Sequence, residues 1–315
     1  MNILEPEKIL KKIQKLFKKF LKLSIWEKLL IIIIIIIMPL FLLNKKTEGF
    51  SQKKEFVLKE NNDIYDDFYC SIYDDLVYDE VKNDFEVKTI EKYIKPTKKS
   101  KILDIGCGTG HHVNFYNSQN IKCEGLDKSK SMIDICKKQY PNSQFKEGDA
   151  LDSMLYIPNS LSHIFCLYFT IYHIKNKSLF FENCYRWLKP GGVLLLHLVN
   201  RDNFDPIINA SDPLTIVSAQ KYAKKRITNS VVKFNDFLYR ADFKYNKGSN
   251  EAHFIETFKD DATGNIRKND NTIYMDSQSE ILSLAKNVGF IMKAQLDMVH
   301  CQYEYQYLYI LYKPQ

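Results

Sequence analysis

The run "KILDIGCGTGHH", residues 101–112, places Gly106, Gly108 and Gly110 within five positions, just after an apolar stretch that contains Asp104. Glycine adopts backbone conformations closed to other residues and leaves the main chain bare. Gly106 suits a tight turn, Gly108 the close approach of a ligand, and Gly110 a helix that starts against its sheet, which is the logic of a dinucleotide site. The phosphate-binding form of that motif needs its third glycine three residues after the second, and His111 stands there, which disfavours a nicotinamide dehydrogenase. Carboxylates follow at telling positions. Asp127 ends "CEGLD", 21 residues after Gly106, where a carboxylate can take both ribose hydroxyls. In "EGDALD", 147–152, Asp149 is suited to accept from an adenine amino group while the Ala150 N–H donates to the ring. "LKPGG", 188–192, turns into another apolar run.

Taken in order, "LDIGCGTG", "GLDKSKSM", "GDALD", "HIFCLYFTIYHI" and "LKPGGVLLL" resemble the motifs of the class I S-adenosylmethionine-dependent methyltransferases. The resemblance covers about 63–315. It implies a seven-stranded, mostly parallel, doubly wound α/β sheet with the last strand antiparallel. It implies S-adenosyl-L-methionine as cofactor, with Asp104, Gly106, Gly108 and Gly110 around its methionine part, Asp127 on the ribose, Met132 beside the adenine and Asp149 on the adenine amine. A sulfonium ligand carries no phosphate, so a basic cradle is unnecessary. Tyr65, Cys107, Lys128, Ala150 and Leu167 complete the expected cofactor set, with Cys107 as small filler. Tyr69, Tyr168 and His173 are the expected catalytic residues. Departures fall in "SHIFCLYFTIYHI": His163 stands where relatives often carry Asp, and Tyr168 where many carry a small or acidic residue. His173 is either a general base or a structural residue at a helix start. The tyrosines 65, 69 and 73 are either a core stripe or a flap over the methyl group that favours its cation. The Asn/Asp-Pro-Pro-aromatic motif of DNA amino methylation is absent, as is a Pro-Cys nucleophile for cytosine.

The elements that must position these groups follow from periodicity. After Pro96, strand-like runs at 101–105, 121–126, 143–147, 163–168 and 193–199 alternate with helical stretches at 110–119, 129–139 and 178–188. Such alternation gives a parallel sheet with helices on both faces. "FLYRADFKYN" and "AHFIETFKD" then alternate with period two, as antiparallel strands inserted after the fifth sheet strand. Residues 290–299 and 305–313 are expected as a closing hairpin. The expected division is a linker at 44–62, a catalytic domain at 63–204 and 277–315, and an antiparallel cap over the acceptor at 205–276.

Charge is unevenly placed. The formal +7 of the chain arises in residues 1–59, which hold 13 Lys and five Glu; the rest carries 32 basic and 33 acidic residues. A nucleic-acid enzyme shows a basic footprint on its working domain, so nucleic acid is disfavoured as a partner. In 1–24, Ile9, Leu10, Ile13, Leu16, Phe17, Phe20 and Leu21 recur at helical spacing among lysines, as in a basic amphipathic helix on an anionic membrane. "LLIIIIIIIMPLFLL", 29–43, is fifteen uncharged residues, roughly 22 Å of helix. Extended to 25–43, with Glu27 and Lys28 snorkelling, it is expected to span or embed in a membrane. The lysines favour a cytosolic N-terminus, and a single clean span would then put the catalytic domain outside, away from the cytosolic cofactor. A segment kinked at Pro39 that dips and returns keeps the domain in the cytosol. The seven Cys include no C-x-x-C pair, so neither zinc nor a disulfide framework is expected. The composite expectation is a membrane-tethered methyltransferase acting on a small-molecule or lipid acceptor, with a protein acceptor or a non-catalytic cofactor-binding scaffold as rivals.

Overall fold

The computed structural model describes residues 23–28, 55–207 and 223–315, and the chain divides into two compact units, 1–53 and 54–315. In the first unit residues 25–28 are helical; the rest of the expected amphipathic and membrane segments, apart from 23–28, lies outside the described residues. No helix among the described residues is long and apolar enough to cross a membrane. The second unit runs β1 (Phe56–Glu60), a 3-10 turn (Asn61–Ile64), α1 (Asp67–Ser71), α2 (Tyr73–Val77), α3 (Glu80–Thr89) continuing as a π turn (Ile90–Ile94), β2 (Lys101–Ile105), α4 (His111–Ser118), β3 (Lys122–Asp127), α5 (Lys130–Gln139), β4 (Gln144–Glu147), β5 (Leu161–Cys166), α6 (Thr170–His173), α7 (Lys177–Trp187), β6 (Leu188–Val199), β7 (Asn229–Lys233), β8 (Phe237–Asn246), β9 (Glu251–Asp260), β10 (Ile266–Tyr274), α8 (Gln278–Val288), β11 (Ile291–Asp297) and β12 (Gln306–Tyr312).

The main sheet has seven strands in the order β11-β12-β6-β5-β2-β3-β4. Five strands, β6, β5, β2, β3 and β4, form four parallel pairs, and β12 is antiparallel to both β6 and β11, as expected. Its central strands are covered on both faces, so they read as continuous apolar runs. Period two then sorts the side chains: Leu103, Ile164, Leu194 and Leu196 face α7 and α8, while Ile102, Phe165 and Leu195 face α3, α4 and α5. Trp187, fully buried on the first face, donates Nε1–H to the Ser153 carbonyl. Ser129 caps α5 by accepting from the Met132 N–H, and Ser277 with Glu280 forms a capping box on α8.

The second sheet, the cap, has the order β1-β10-β9-β8-β7. Two expectations are corrected here. Residues 56–62, expected as linker, form β1 and the 3-10 turn, and β1 pairs in parallel with β10. "FVLKE" has alternate half-buried and exposed side chains, which suits an edge strand although its charge reads as linker. The cap is therefore built from both sides of the main sheet's chain segment, not from 205–276 alone, and within 205–276 its described strands begin at Asn229. The tyrosine segment, expected as one helical face, is broken into short pieces. Asp66 and Asp79 each accept from a main-chain N–H three residues on, which starts a new helix at each.

Arg267 on β10 joins the cap to α1. Its Nη1 lies 2.8 Å from both Asp66 oxygens, its Nη2 donates to the Ile64 carbonyl and its Nε to Asn269. Arg267→Ala leaves the partly buried Asp66 with Lys59, at 3.4 Å, as its remaining counter-charge and the Ile64 carbonyl and Asn269 without their donor, so urea unfolding should show a loss of about 1–3 kcal/mol, with the earliest proteolysis at 61–78.

Candidate active site

The C-terminal ends of β2, β3 and β5 open into a cavity of about 1090 Å³, walled on the far side by α1, α2 and the inner face of the cap. Small-molecule cavities run to about 1000 Å³, so there is room for more than one ligand. At Gly106, φ +69°, an added Cβ would sit 2.4 Å from Thr170 Oγ1, so only glycine lets α6 start this close. Gly108, φ +52°, turns its bare side to the cavity, where Tyr73 is the nearest group at 3.6 Å. Its N–H donates to Asp127 Oδ2 at 3.1 Å, and the Ser129 N–H donates to Oδ1 at 2.9 Å. Burial pushes the Asp127 pKa up, and these donors offset part of that. Asp149 meets the Lys128 ammonium at 2.9 Å and the Leu151 N–H at 2.9 Å. Burial raises its pKa, but those two groups outweigh it and hold it below the usual value.

Aromatic rings close the other side. Tyr65 meets Tyr69 edge-on at 5.6 Å between centroids, Tyr69 meets Tyr73 at 6.0 Å, and Tyr65 meets His173 at 6.1 Å. The Tyr65 carbonyl accepts from Ser129 Oγ, which ties this cluster to the strand end that carries Asp127. Tyr168, at the end of β5, sits in the left-handed region at φ +50°, a conformation that costs about 1–3 kcal/mol. It lies against Phe169 and His197, with Lys82 Nζ 5.2 Å from its ring. His173 presents an exposed ring to the cavity, yet the protein packed around it lowers its pKa by desolvation to about 4, with Lys177 adding to the effect.

Residues 102–192 match the family model described as a methyltransferase domain. A probable S-adenosylmethionine-dependent methyltransferase of Mycolicibacterium smegmatis is 27% identical over 105 residues, covering 33% of this chain and 40% of that one. Phosphoethanolamine N-methyltransferase of Plasmodium falciparum is 22% identical over 199 residues, 55% of this chain and 71% of that one. Among solved structures, S-adenosylmethionine-bound CalS10 of Micromonospora echinaspora, an amino pentose methyltransferase, superposes with a TM-score of 0.54 at 16% identity, covering 79% of this chain and 98% of that one; at that identity the likeness is one of fold. The chain carries a class I S-adenosylmethionine-dependent methyltransferase domain. The residues present fit that cofactor. The glycine loop has no lysine or arginine, Gly108 is bare toward the cavity, and Asp127 stands at the strand end beside it.

Of the residues expected from sequence, the methyltransferase cavity brings together Tyr65, Tyr69, Gly106, Gly108, Asp127, Lys128, Met132, Asp149, Ala150, Tyr168 and His173. Four others stand off it. Asp104, 3% exposed, Cys107 and Leu167 line a narrow neighbouring cleft with Lys82 and His112. Burial raises the Asp104 pKa to about 6, with Glu86 and Asp127 adding to it against His112 and Lys82. Gly110 serves packing: a Cβ there would lie 2.8 Å from the Phe145 ring. Cys107 fills the space over Gly125. His163 meets Ser162 Oγ at 2.7 Å, and His197 is fully buried in β6.

Several cavity residues escaped the sequence reading, chiefly Ser129, Thr170, Asn271 and Glu256. Glu256 had a usable signal. In "AHFIETFKD" it occupies the apolar phase set by Ala252, Phe254 and Phe258, so it had to point inward.

Two measurements test the site. Asp127→Ala removes a carboxylate acceptor whose hydrogen bonds are worth about 1.5–3 kcal/mol each, so calorimetry should show S-adenosylhomocysteine affinity lowered at least about tenfold. The lowered pKa of His173 carries a sign. Between its ordinary value of 6.5 and its folded value of about 4, the unfolded chain binds a proton that the folded chain refuses. This contribution to stability is present above 6.5 and is lost as pH falls toward 4. Imidazole titration by NMR should find His173 neutral at pH 7 with a midpoint near 4.

Proposed function

We propose that the protein is an S-adenosylmethionine-dependent methyltransferase that moves a methyl group to N, O or C of a small-molecule or lipid acceptor, while its N-terminal arm holds it on a membrane with the catalytic unit toward the cytosol. The observation that carries the enzymatic reading is the two-sided cavity, with Gly108, Asp127 and Asp149 on one wall and Tyr65, Tyr69 and His173 on the other. A relative named above is a phosphoethanolamine N-methyltransferase, which supports a small acceptor. The charge split and the isoleucine run carry the membrane reading.

S-adenosylmethionine supplies a methyl group already activated on a sulfonium sulfur. The protein's task is alignment and the exclusion of water, and alignment of this kind accounts for about 7–11 kcal/mol of barrier. Asp127 and Asp149 orient the nucleoside, and the bare main chain at Gly108 allows it to lie close. The ring faces and edges of Tyr65, Tyr69 and Tyr73 line the space that a cationic methyl donor needs. Neutral His173, edge-on to Tyr65, is placed to accept a proton from an acceptor held beneath the cap.

Radiolabelled S-adenosylmethionine with lipid and small-metabolite fractions tests the transfer, and flotation of the full chain and of the compact unit 54–315 tests the tether. We expect label in a small-molecule or lipid product. The full chain should float with anionic vesicles, and unit 54–315 should stay behind with unchanged S-adenosylhomocysteine affinity. Label in protein alone, or a full chain that does not float, would overturn the corresponding half.

A further inference from the structure

Glu256 lies on the inner face of β9, 1% exposed, and forms part of the cavity wall. Three neutral donors converge on it. Tyr69 and Tyr239 hydroxyls donate to Oε1 at 3.1 and 2.9 Å, and Asn269 Nδ2 donates to Oε2 at 3.2 Å. The orientation of Asn269 is fixed independently, because Arg267 Nε can only donate and holds Asn269 Oδ1 at 2.8 Å. Glu256 thus accepts on both oxygens; burial raises its pKa, and the three hydrogen bonds with the charge of Arg267 offset part of that in favour of the carboxylate.

Among the described residues no cation pairs with this carboxylate. Arg267, whose charge also bears on it, is committed to Asp66. Across the cavity Lys128 is paired with Asp149. A buried carboxylate without a counter-charge is costly, and this one faces a cavity. Tyr65 shares the cavity wall with Glu256 and Asp127: its hydroxyl accepts from Asn271 Nδ2 at 3.5 Å, and its carbonyl accepts from Ser129 Oγ, two residues from Asp127.

We propose that Glu256 is the acceptor-recognition group and that it selects an amine, whose ammonium supplies the missing positive charge. The inference rests on the methyltransferase reading and deepens it, because it chooses nitrogen among the possible acceptor atoms. An arriving ammonium gives one proton to neutral His173, and the freed lone pair forms the N–C bond as the donor's C–S bond breaks. Positive charge passes from sulfur to nitrogen, so the same carboxylate favours the bound ammonium and the methylated product. A carboxylate or phosphate at that point would meet repulsion, and an alcohol would leave the charge uncompensated.

The test compares hexylamine, hexan-1-ol and hexanoate as probes on the full-chain protein saturated with S-adenosylhomocysteine, by calorimetry, and as acceptors with S-adenosylmethionine, by mass spectrometry. Hexylamine should bind at least about tenfold more tightly than either analogue and should be the methylated probe. Glu256→Gln should abolish that preference while S-adenosylhomocysteine affinity stays within about twofold. Three results overturn the inference while leaving the methyltransferase reading intact: equal binding of amine and alcohol, no amine binding to a protein that binds S-adenosylhomocysteine, or an amine preference that survives the substitution. A fourth is a selective loss of S-adenosylmethionine against S-adenosylhomocysteine affinity in Glu256→Gln, which would assign the carboxylate to the sulfonium. Failure of the unaltered protein to bind S-adenosylhomocysteine would instead sink the reading beneath. The probe comparison on the unaltered protein needs no variant and stands even where Glu256→Gln does not fold.

Discussion

The guanidinium of Arg267 leaves the inner face of the cap with donors directed at Asp66, the Ile64 carbonyl and Asn269. Each of these leads to a wall of the cavity. Asp66 caps α1 by accepting from the Tyr69 N–H, so the ion pair fixes where that helix begins and where Tyr69 points. Asn269 passes the constraint to Glu256, and Glu256 accepts the Tyr69 hydroxyl. Tyr69 is therefore held at its main chain and at its phenol by one connected set of polar groups. A planar group that reaches three partners through three different nitrogens is what arginine supplies and lysine does not. It allows short helical pieces, which would be marginal alone, to form a defined wall.

The opposite side of the glycine loop rests on buried charge of a different kind. Glu86 is fully buried, with Lys82 Nζ at 3.1 Å and His112 Nε2 at 3.2 Å. Burial raises its pKa, but Lys82 and His112 outweigh it and bring it down to about 2. Close by, burial holds Asp104 at about 6. The two carboxylates respond to acid in opposite directions. Below its unfolded value of 4.5 the contribution of Glu86 is lost progressively as pH falls, whereas protonation of Asp104 favours the folded state between 6 and 3.8. Thr109 and His111 meet Asp74 of α2 at 2.6 and 3.0 Å, which locks the loop to the lid from this side too. Asp104 belongs to this support under the loop, and the open cavity begins beyond it at Gly108.

The main sheet was legible because every strand end carried a marked residue: Asp104 in β2, Asp127 at the end of β3, the "GDALD" after β4. Period and turn chemistry gave the strands to within two residues in most cases, though β6 starts at Leu188, inside the expected "LKPGG" turn, because Leu188 already pairs with Leu161 of β5 across an irregularity in the register. The lid was less legible. Its tyrosine stripe, on α1 and α2, reads as one helix, but the Asx cap at Asp66 and a break at Ile72 interrupt it, and side-chain competition with the backbone leaves no trace in hydrophobic period. The joining of β1 to the cap was not legible at all, since pairing Phe56 with Ile266 spans most of the chain and no local pattern announces a partner. At the cavity, the residues of the glycine loop and the strand ends that line it carried a motif. Glu256, Asn269 and Asn271 did not, because their meaning lies in cross-strand register: Asn269 stands opposite Glu256, and Asn271 opposite Phe254.

That contrast follows from how the two walls are made. The donor wall is a property of parallel strand ends, where main-chain donors such as the Gly108 and Ser129 N–H groups do most of the holding and a short sequence motif suffices. The cap wall is a property of a pleated face, where alternate side chains from β8, β9 and β10 meet across strands. Ala241 and Asn269 flank Glu256 in register, so the small residue leaves room for the carboxylate and the amide fixes it. An acceptor preference written this way can change by single substitutions on the inner phase of the cap strands without disturbing the donor wall. Substitutions on the outer phase, such as at His253 or Asp270, which pair with each other at 2.8 Å on the outside, leave it untouched. On the proposed reading, the cap sets which acceptor is taken while the sheet beneath keeps the same glycine-loop wall.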